Sequence, residues 1–470
     1  MRDVFVVGVH TLRFGKYLER GIKDLAAETV RGSLVDAGLE QGRIQALWFS
    51  NSGWGNMSGQ DCIRGQVALR PMGIEAIPIT NVENACASGS TAFHHAWLGV
   101  ASGLYDITMA VGAEKLYSAN KMATFAGFLG GIDIEKCVDN VRTLGSFGLS
   151  AEDRAAVETF RRRYPERRTE RARPGLTQRA RQRLRETRDM LAVAVTLGEK
   201  LGYPALRELS RAAGGDHSPF MDIYGFAARQ HMQRYGLTVE QLAAVAAKSH
   251  HNGTLNPNAQ YRFETPVDEV LADRLVSYPL TRSMCAPIGD GAASAILCSG
   301  DVLRQLGRMQ GAVRVRASIL GSGCEHPPGS EIPDIGERLA RQAYEVAGVG
   351  PTDIDLAEVH DATSFGEVIQ VENLGFCPRG EGGALAERGE TALAGRIPVN
   401  TSGGLTSRGH PVGASGLAQL HELVVQLRGQ AGARQVAGAR LAMAENGGGA
   451  LGSEEAAMGI HILEAFTPVP

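Results

Sequence analysis

Four short segments of the chain carry residues able to do covalent chemistry. Cys86 lies in Asn84-Ala85-Cys86-Ala87-Ser88-Gly89-Ser90, where a buried strand gives way to a helix. A thiol there faces the positive end of the helix dipole, which favours thiolate. The small neighbours let substrate and backbone N–H groups approach closely. The plainer alternative is an inert cysteine packed as a small hydrophobe. His410 sits in Gly409-His410-Pro411-Val412-Gly413-Ala414-Ser415-Gly416, a Gly-rich loop before a helix. Such an imidazole serves as base for a thiol or as donor to an oxyanion, unless it is simply solvated. His360-Asp361 closes the apolar run Ile354–Val359. Carboxyl ends of strands in α/β layers face ligand crevices, although a local turn could equally satisfy the imidazole. Glu445-Asn446-Gly447-Gly448-Gly449 follows another apolar run, offering one carboxylate beside exposed backbone N–H donors, or else a flexible turn. Nucleophile, base and oxyanion donors are the parts acyl transfer needs. Spacing alone does not bring them together.

The elements that must position them follow a β-α-β-α-β rhythm. Strands are expected at Asp3–Val9, Ala46–Ser50, Ile77–Val82 and Asp106–Gly112, with helices at Ile22–Ala37 and Ser88–Gly103. In Ile22–Ala37, Ala26, Val30, Leu34 and Ala37 fall on one helical face. The C-terminal third repeats the rhythm. Its strands are Val313–Leu320, Ile354–Val359, Leu441–Ala444 and Met458–Ile462, and its helices Ile335–Ala347 and Gly413–Arg428. The apolar runs read as strands buried on both faces, so the fold class is layered α/β with an internal duplication. Between Lys115 and Gly236 the rhythm stops. That stretch reads as an insertion of the kind that carries substrate-binding loops. The rhythm resumes with a helix at Val239–His250 and a strand at Ala292–Cys298.

Composition narrows the classes. At 470 residues, with 43% hydrophobic and 21% charged, the chain has the make-up of a globular protein of two to four domains or two large halves. Its 59 glycines, without a triplet period, mean tight turns and backbone-lined sites rather than collagen. No long apolar stretch predicts a membrane span, and the N-terminus lacks the pattern of a signal peptide. Seven scattered cysteines argue against a disulfide framework and for a reducing cytoplasm. No zinc-ligand spacing is present, so no metal is expected. Net charge is −3, yet residues 161–188 hold twelve Arg and three Glu. One basic patch on an acidic body does not describe a nucleic-acid binder. Gln178–Met190 has the spacing of a charged helix; its arginines either lie solvated, or contact a partner, or grip phosphates with their guanidinium forks.

At Asn84–Ser90, Cys285–Ser299, Glu358–Asp361 and Asn400–Gly416 the sequence resembles the thiolase superfamily, above all its sterol-carrier-protein-2-type members. The resemblance covers about residues 1–118 and 216–465. It implies a thiolase fold: two βαβαβαββ halves in five α-β-α-β-α layers, with two mixed five-stranded sheets and an inserted loop domain over the coenzyme A site. The halves would be 1–118 with 237–303, and 304–470; the loop domain, with the Arg-rich segment, would be 119–236, and coenzyme A-binding residues would lie there. The resemblance further implies that Cys86 takes the acyl group as a thioester. His410 would activate it and help bind the thioester oxygen, His360 would assist one oxyanion hole, and the N–H groups of Cys86 and Gly447 would form a second.

Two departures bear on mechanism. Thiolases carry a second, acid/base cysteine just before the C-terminal Gly cluster, where this chain has Glu445-Asn446. The sterol-carrier-type branch has one directly after His-Asp, where this chain has Ala362. Glu445 is the first candidate for the missing role, because an apolar pocket raises a carboxyl pKa toward neutrality; Tyr224 and His217 are the others. The reaction implied is cleavage or formation of a 3-ketoacyl-CoA, with a bulky, branched or aromatic acyl group. The alternatives are a retro-aldolase acting on a 3-hydroxyacyl-CoA side chain and an acyltransferase to a non-CoA acceptor. Coenzyme A would be a substrate, with no cofactor held permanently. The resemblance also implies a homodimer or dimer of dimers, and permits a small zinc-ribbon/OB-fold partner protein.

Overall fold

The computed structural model describes residues 1–118, 149–167, 219–307, 311–326, 331–452 and 454–466, with positions 124, 128, 130–133, 135 and 309. Most of the Arg-rich run, the Gln178–Met190 segment and His217 lie outside these residues. Eleven strands are described: β1 Val4–Thr11, β2 Ala46–Ser50, β3 Ile79–Val82, β4 Ile107–Lys115, β5 Leu275–Ser277, β6 Leu280–Thr281, β7 Asp290–Ser299, β8 Val313–Ser322, β9 Leu356–Glu358, β10 Leu441–Gly448 and β11 Ala457–Ala465. β5 and β6 form a separate hairpin; the other nine join in the order β3-β2-β4-β7-β1-β8-β11-β10-β9.

That order is two copies of one pattern set edge to edge. In the first half β4 and β2 are parallel, and β7 lies antiparallel between β4 and β1. In the second, β10 and β9 are parallel, and β11 lies antiparallel between β10 and β8. β1 and β8 are joined only at Phe5↔Arg314 and Val6↔Val313. The expected pair of five-stranded sheets is therefore one continuous sheet of five and four strands. The fifth strand of the second half shrinks to a single bridge, Ala357↔Val399. Pro398 precedes Val399 and has no N–H to give a ladder, so pairing cannot extend.

The layers follow from burial. Helix Ile22–Ala37 buries Ile22, Leu25, Ala26, Thr29, Val30, Ser33, Leu34 and Ala37, an i, i+3, i+4 stripe, and stops at Gly38 with φ 61°. It covers the first half from outside, as Ile335–Ala347 covers the second. Helices Ser88–Ala101 and Ser415–Leu427 are instead buried almost all round and share one apolar cluster with strands of both halves. They form the middle of the five layers. Helices Ala151–Arg163, Pro219–Tyr235 and Val239–Leu255 make a further cluster with Leu280 and Phe365. After these helices the chain re-enters the nine-stranded sheet at β7. Among the described residues no helix is long and apolar enough to cross a membrane.

Candidate functional site

The two central helices begin at the site. A Cβ at Gly89 would lie 2.9 Å from the Leu417 nitrogen, and one at Gly416 would lie 2.6 Å from the Ser90 nitrogen. Glycine at both positions lets the helix starts meet backbone to backbone. A side chain at either would push apart the two loops that precede them, one carrying Cys86 and the other His410. Ala85 has φ 47°, a left-handed conformation costing a non-glycine residue about 1–2 kcal/mol. It turns the chain from β3 so that Cys86 faces inward, and Ser88 Oγ donates to the Ala85 carbonyl at 2.6 Å to hold the turn.

Cys86 Sγ and His410 Nε2 are 3.1 Å apart. The protonation pattern follows from the other side of the ring. Ser415 Oγ donates to the Pro411 carbonyl at 3.0 Å, so it accepts from His410 Nδ1 at 2.7 Å. The Nε2 lone pair is thereby aimed at the thiol, as a base should be. Burial pushes the Cys86 thiol up to about 12, with Glu114 and Glu83 adding to it, while the N–H groups of Gly449 and Cys86 pull the other way. Burial also holds His410 well below its ordinary value, with His360 and Arg408 acting in the same sense. Both shifts favour a neutral thiol beside a neutral imidazole, opposing the pull of the helix end toward thiolate.

His360 follows β9, its ring 5.2 Å from that of His410 and nearly perpendicular to it. Asn446 Nδ2 lies 3.1 Å from His360 Nδ1 and donates to it, which leaves the ring proton on Nε2. Reactive atoms of Cys86, His360 and His410 all lie within 4.8 Å of one another, a spacing a thiophilic metal ion could also use. Burial lowers His360 to about 4, so the ring is a neutral donor. Asp361 clamps the strand end to the His410 loop: its carboxyl accepts from Leu405 N at 2.6 Å and packs where Gly404 has no side chain.

Glu445 is fully buried. Oε2 accepts from His360 N at 2.8 Å, and Oε1 has no hydrogen-bond partner among the described residues. Burial holds this carboxyl well above its ordinary range, which favours the protonated form. The backbone donor beside Cys86 Sγ is Gly449; Gly447 turns its N–H toward Glu445 instead, a different arrangement from the Cys86–Gly447 pair expected. Tyr224 is half-buried; desolvation, then the nearby Glu455, Cys86, Glu445 and Asp361, raise its phenol well above its ordinary value.

Sequence reasoning missed Ser415, Asn446 as a partner of His360, and Glu455. Glu455 covers Gly447, its Oε1 3.2 Å from Gln370 Nε2, and burial raises it to about 7. Nothing in Glu454-Glu455 distinguishes it from a solvated acidic pair. Its neighbour Glu454 accepts from Arg338 Nη1 at 2.8 Å and from Cys324 N at 2.7 Å, and His326 lies 2.7 Å away. Cys324, His326 and Glu454 also have metal-ligand spacing, but Arg338 already neutralises the carboxylate. Of the described arginines near the basic run, Arg163 pairs with Glu240 at 3.0 Å and Arg167 with Asp268 at 3.7 Å.

Comparison with known proteins bears on the family and the fold. The sequence model for "Thiolase, N-terminal domain" matches residues 4–159, and that for "Thiolase C-terminal domain-like" matches residues 324–461. An acetyl-CoA acetyltransferase of Methanothermobacter thermautotrophicus is 34% identical over 96% of this chain and 98% of its own length. Human sterol carrier protein 2 is 31% identical over 95% of this chain and 70% of its own. The benzoylsuccinyl-CoA thiolase subunit BbsB of Thauera aromatica is 29% identical over 93% and 91%. Among solved structures, the Ltp2-ChsH2(DUF35) aldolase shares the fold with a TM-score of 0.67 at 20% identity, covering 99% of both chains.

Proposed function

The chain belongs to the thiolase family and is an acyltransferase; from that premise we propose that it cleaves or forms a 3-ketoacyl-CoA through an acyl-enzyme on Cys86. The 3.1 Å approach of Cys86 Sγ to the free lone pair of His410 carries this reading. In cleavage, the thiol proton passes to His410 Nε2 as the sulfur adds to the C3 carbonyl. Its oxygen gains charge beside the Cys86 N–H and a glycine N–H of the 447–449 loop. The C2–C3 bond then breaks, the acyl group stays on sulfur, and the electrons pass into a CoA enolate. His360 Nε2–H and the protonated His410 hold that enolate oxygen. A protonated carboxyl, Glu445, supplies the proton to C2. The thiol of free coenzyme A next attacks the acyl carbonyl carbon and gives its proton to the Glu445 carboxylate; as the acyl–sulfur bond breaks, Cys86 sulfur takes back the proton held on His410.

The substrate we infer is a bulky, branched or aromatic 3-ketoacyl-CoA. A carboxyl in place of the acid/base cysteine supports it, as does similarity to a thiolase named for an aromatic substrate. The working assembly is proposed to be a homodimer or dimer of dimers in the cytoplasm, joined by a small zinc-ribbon/OB-fold protein. Loop residues within 119–236 are proposed to bind coenzyme A. A retro-aldolase reading is kept for one observation, the absence of cysteine at both 362 and 445.

Intact-protein mass after incubation with a panel of 3-ketoacyl-CoA thioesters tests the proposal, with Cys86→Ala alongside. An acyl adduct on the wild type alone is expected, its mass giving the acyl group. Turnover without any adduct would overturn the acyl-enzyme and favour the aldolase.

A further inference from the structure

Behind His360, away from Cys86, lies a line of buried polar groups that the mechanism above does not use. Asn446 Oδ1, Ser90 Oγ and His461 Nε2 each have no hydrogen-bond partner among the described residues, and all three residues are 0% exposed. They are neighbours. The space over Gly416 is bounded by Asn446 Oδ1 and Ser90 Oγ, and a Cβ at Gly459 would lie 3.3 Å from His461 Nε2 and 3.4 Å from Ser90 Oγ. Beyond them, His461 Nδ1 is 2.9 Å from Ser318 Oγ, which is 3.0 Å from Nδ1 of half-buried His94. Leaving a buried polar atom unmet costs about 1–3 kcal/mol, so three adjacent ones mark a gap that small shifts or an ordered water close.

We propose that Ser90 and His461 are positioning residues: they fix which way the Asn446 amide points, and through it keep the His360 proton on Nε2. The argument is one of donor and acceptor counting. A hydroxyl has one proton and a neutral imidazole has one; with small shifts closing the gap and each hydroxyl proton spent within the line, the line from His94 to His360 runs in one of two directions. With Asn446 Nδ2 donating to His360, its Oδ1 must accept from Ser90. Ser90 Oγ then accepts from His461 Nε2–H, His461 Nδ1 accepts from Ser318, and Ser318 accepts from His94 Nδ1–H. Every group is satisfied, and His360 presents Nε2–H to the substrate. In the opposite direction every bond reverses, and His360 presents a lone pair to the oxygen it must stabilise. Burial lowers His94 to about 4 and His461 to about 3, so both rings are neutral and keep a single proton each. The amide orientation in the structure is the first of the two. Removing Ser90 or His461 takes away the partner that holds it.

This inference rests on the proposed role of His360 for its kinetic consequence, but its test also reads the tautomer directly. The full-length protein is labelled with 15N-histidine and long-range proton–nitrogen spectra are compared for wild type, Ser90→Ala, Ser90→Thr and His461→Leu. Asn446→Asp serves as a reference for the reversed tautomer, since a carboxylate at Nδ1 must accept a proton there. Nε2–H is expected at His360 in the wild type and in Ser90→Thr, with Nδ1–H rising in Ser90→Ala and His461→Leu. In those two variants kcat should fall about tenfold or more, toward the 10²–10³-fold loss of an oxyanion-hole donor, with KM nearly unchanged. An unaltered tautomer in folded Ser90→Ala and His461→Leu, or Nδ1–H in the wild type, overturns the proposal. A shifted tautomer with unchanged kcat supports the positioning role and instead removes His360 from the proposed reaction.

Discussion

Two buried glutamates, one at the end of β4 and one near the end of β10, sit in corresponding strands of the two halves. Glu114 is met on all sides. Asn51 Nδ2 donates at 2.8 Å, Ser52 N at 2.9 Å, and Gly53 N and Gly413 N at 3.1 Å. Glu445 receives His360 N, with the Gly447 N–H turned toward it, and its Oε1 has no hydrogen-bond partner among the described residues. Burial raises both and backbone donors work against it at each, four of them at Glu114 and two at Glu445, which is held well above its usual range. Burial alone therefore does not make an acid. The number of donors around the carboxyl sets how far burial is opposed and whether an oxygen is left to spare. Glu114 serves as a frame and Glu445 as the working side of a site to which both halves contribute.

The strongest challenge to that contrast is Glu445→Gln, which keeps the shape and removes the proton. The carbon–carbon step should slow by about 10²–10⁴-fold, the range for a general acid, while the mass of an acyl group on Cys86 can still be detected and melting barely moves. Unchanged turnover would hand the role to Tyr224 or Glu455. Next comes Glu114→Gln. Its amide NH2 must face N–H donors, so unfolding should show a loss of about 1–3 kcal/mol, with kcat per folded molecule retained. If activity fell and stability held, the frame and the working side would have been assigned the wrong way round.

A finer contrast lies within one dipeptide. The hydrogen bonds from Arg338, Cys324 N and His326 hold Glu454 down at about 2 against the cost of burial, whereas burial lifts Glu455 to about 7. Glu454 stabilises the fold above the pKa of an unfolded carboxyl, and that contribution fades as pH falls toward 2. Glu455 acts oppositely: folding is favoured as pH falls from 7 toward the unfolded value, because the native state holds the extra proton. Melting curves across pH should show Arg338→Met flattening the acid limb and Glu455→Gln flattening the change near neutrality. The smallest effect is expected at the exposed Asp301–Arg304 pair, where Arg304→Ala should cost less than about 1 kcal/mol and leave turnover intact.

Much of this site could be read before the fold was known, because it is built on local signals. Cys86 stands where a strand meets a helix, and His410 stands among glycines. Ile22–Ala37 and Ile335–Ala347 begin and end where their apolar spacing indicates. What could not be read was set by contacts distant in sequence. The proton on His410 is placed by Ser415 and the one on His360 by Asn446; the titration of Cys86 is governed by burial. The shortened fifth strand of the second half depended on one proline. Glu455 is brought over Gly447 only by the β10–β11 pairing, and nothing about its own segment marks it.

The strand order also governs how such a chain can be made. β7 fills the gap between β4 and β1, yet its residues come after the whole insertion. β11 likewise fills the gap between β10 and β8 and is the last strand described. As the polypeptide emerges from the ribosome, β1 and β4 must wait with open hydrogen-bonding edges through more than a hundred residues of synthesis. Such edges invite pairing with other chains. Yield of active protein should therefore depend on slow synthesis and on chaperones that shield nascent strands, more than on the stability of the finished fold.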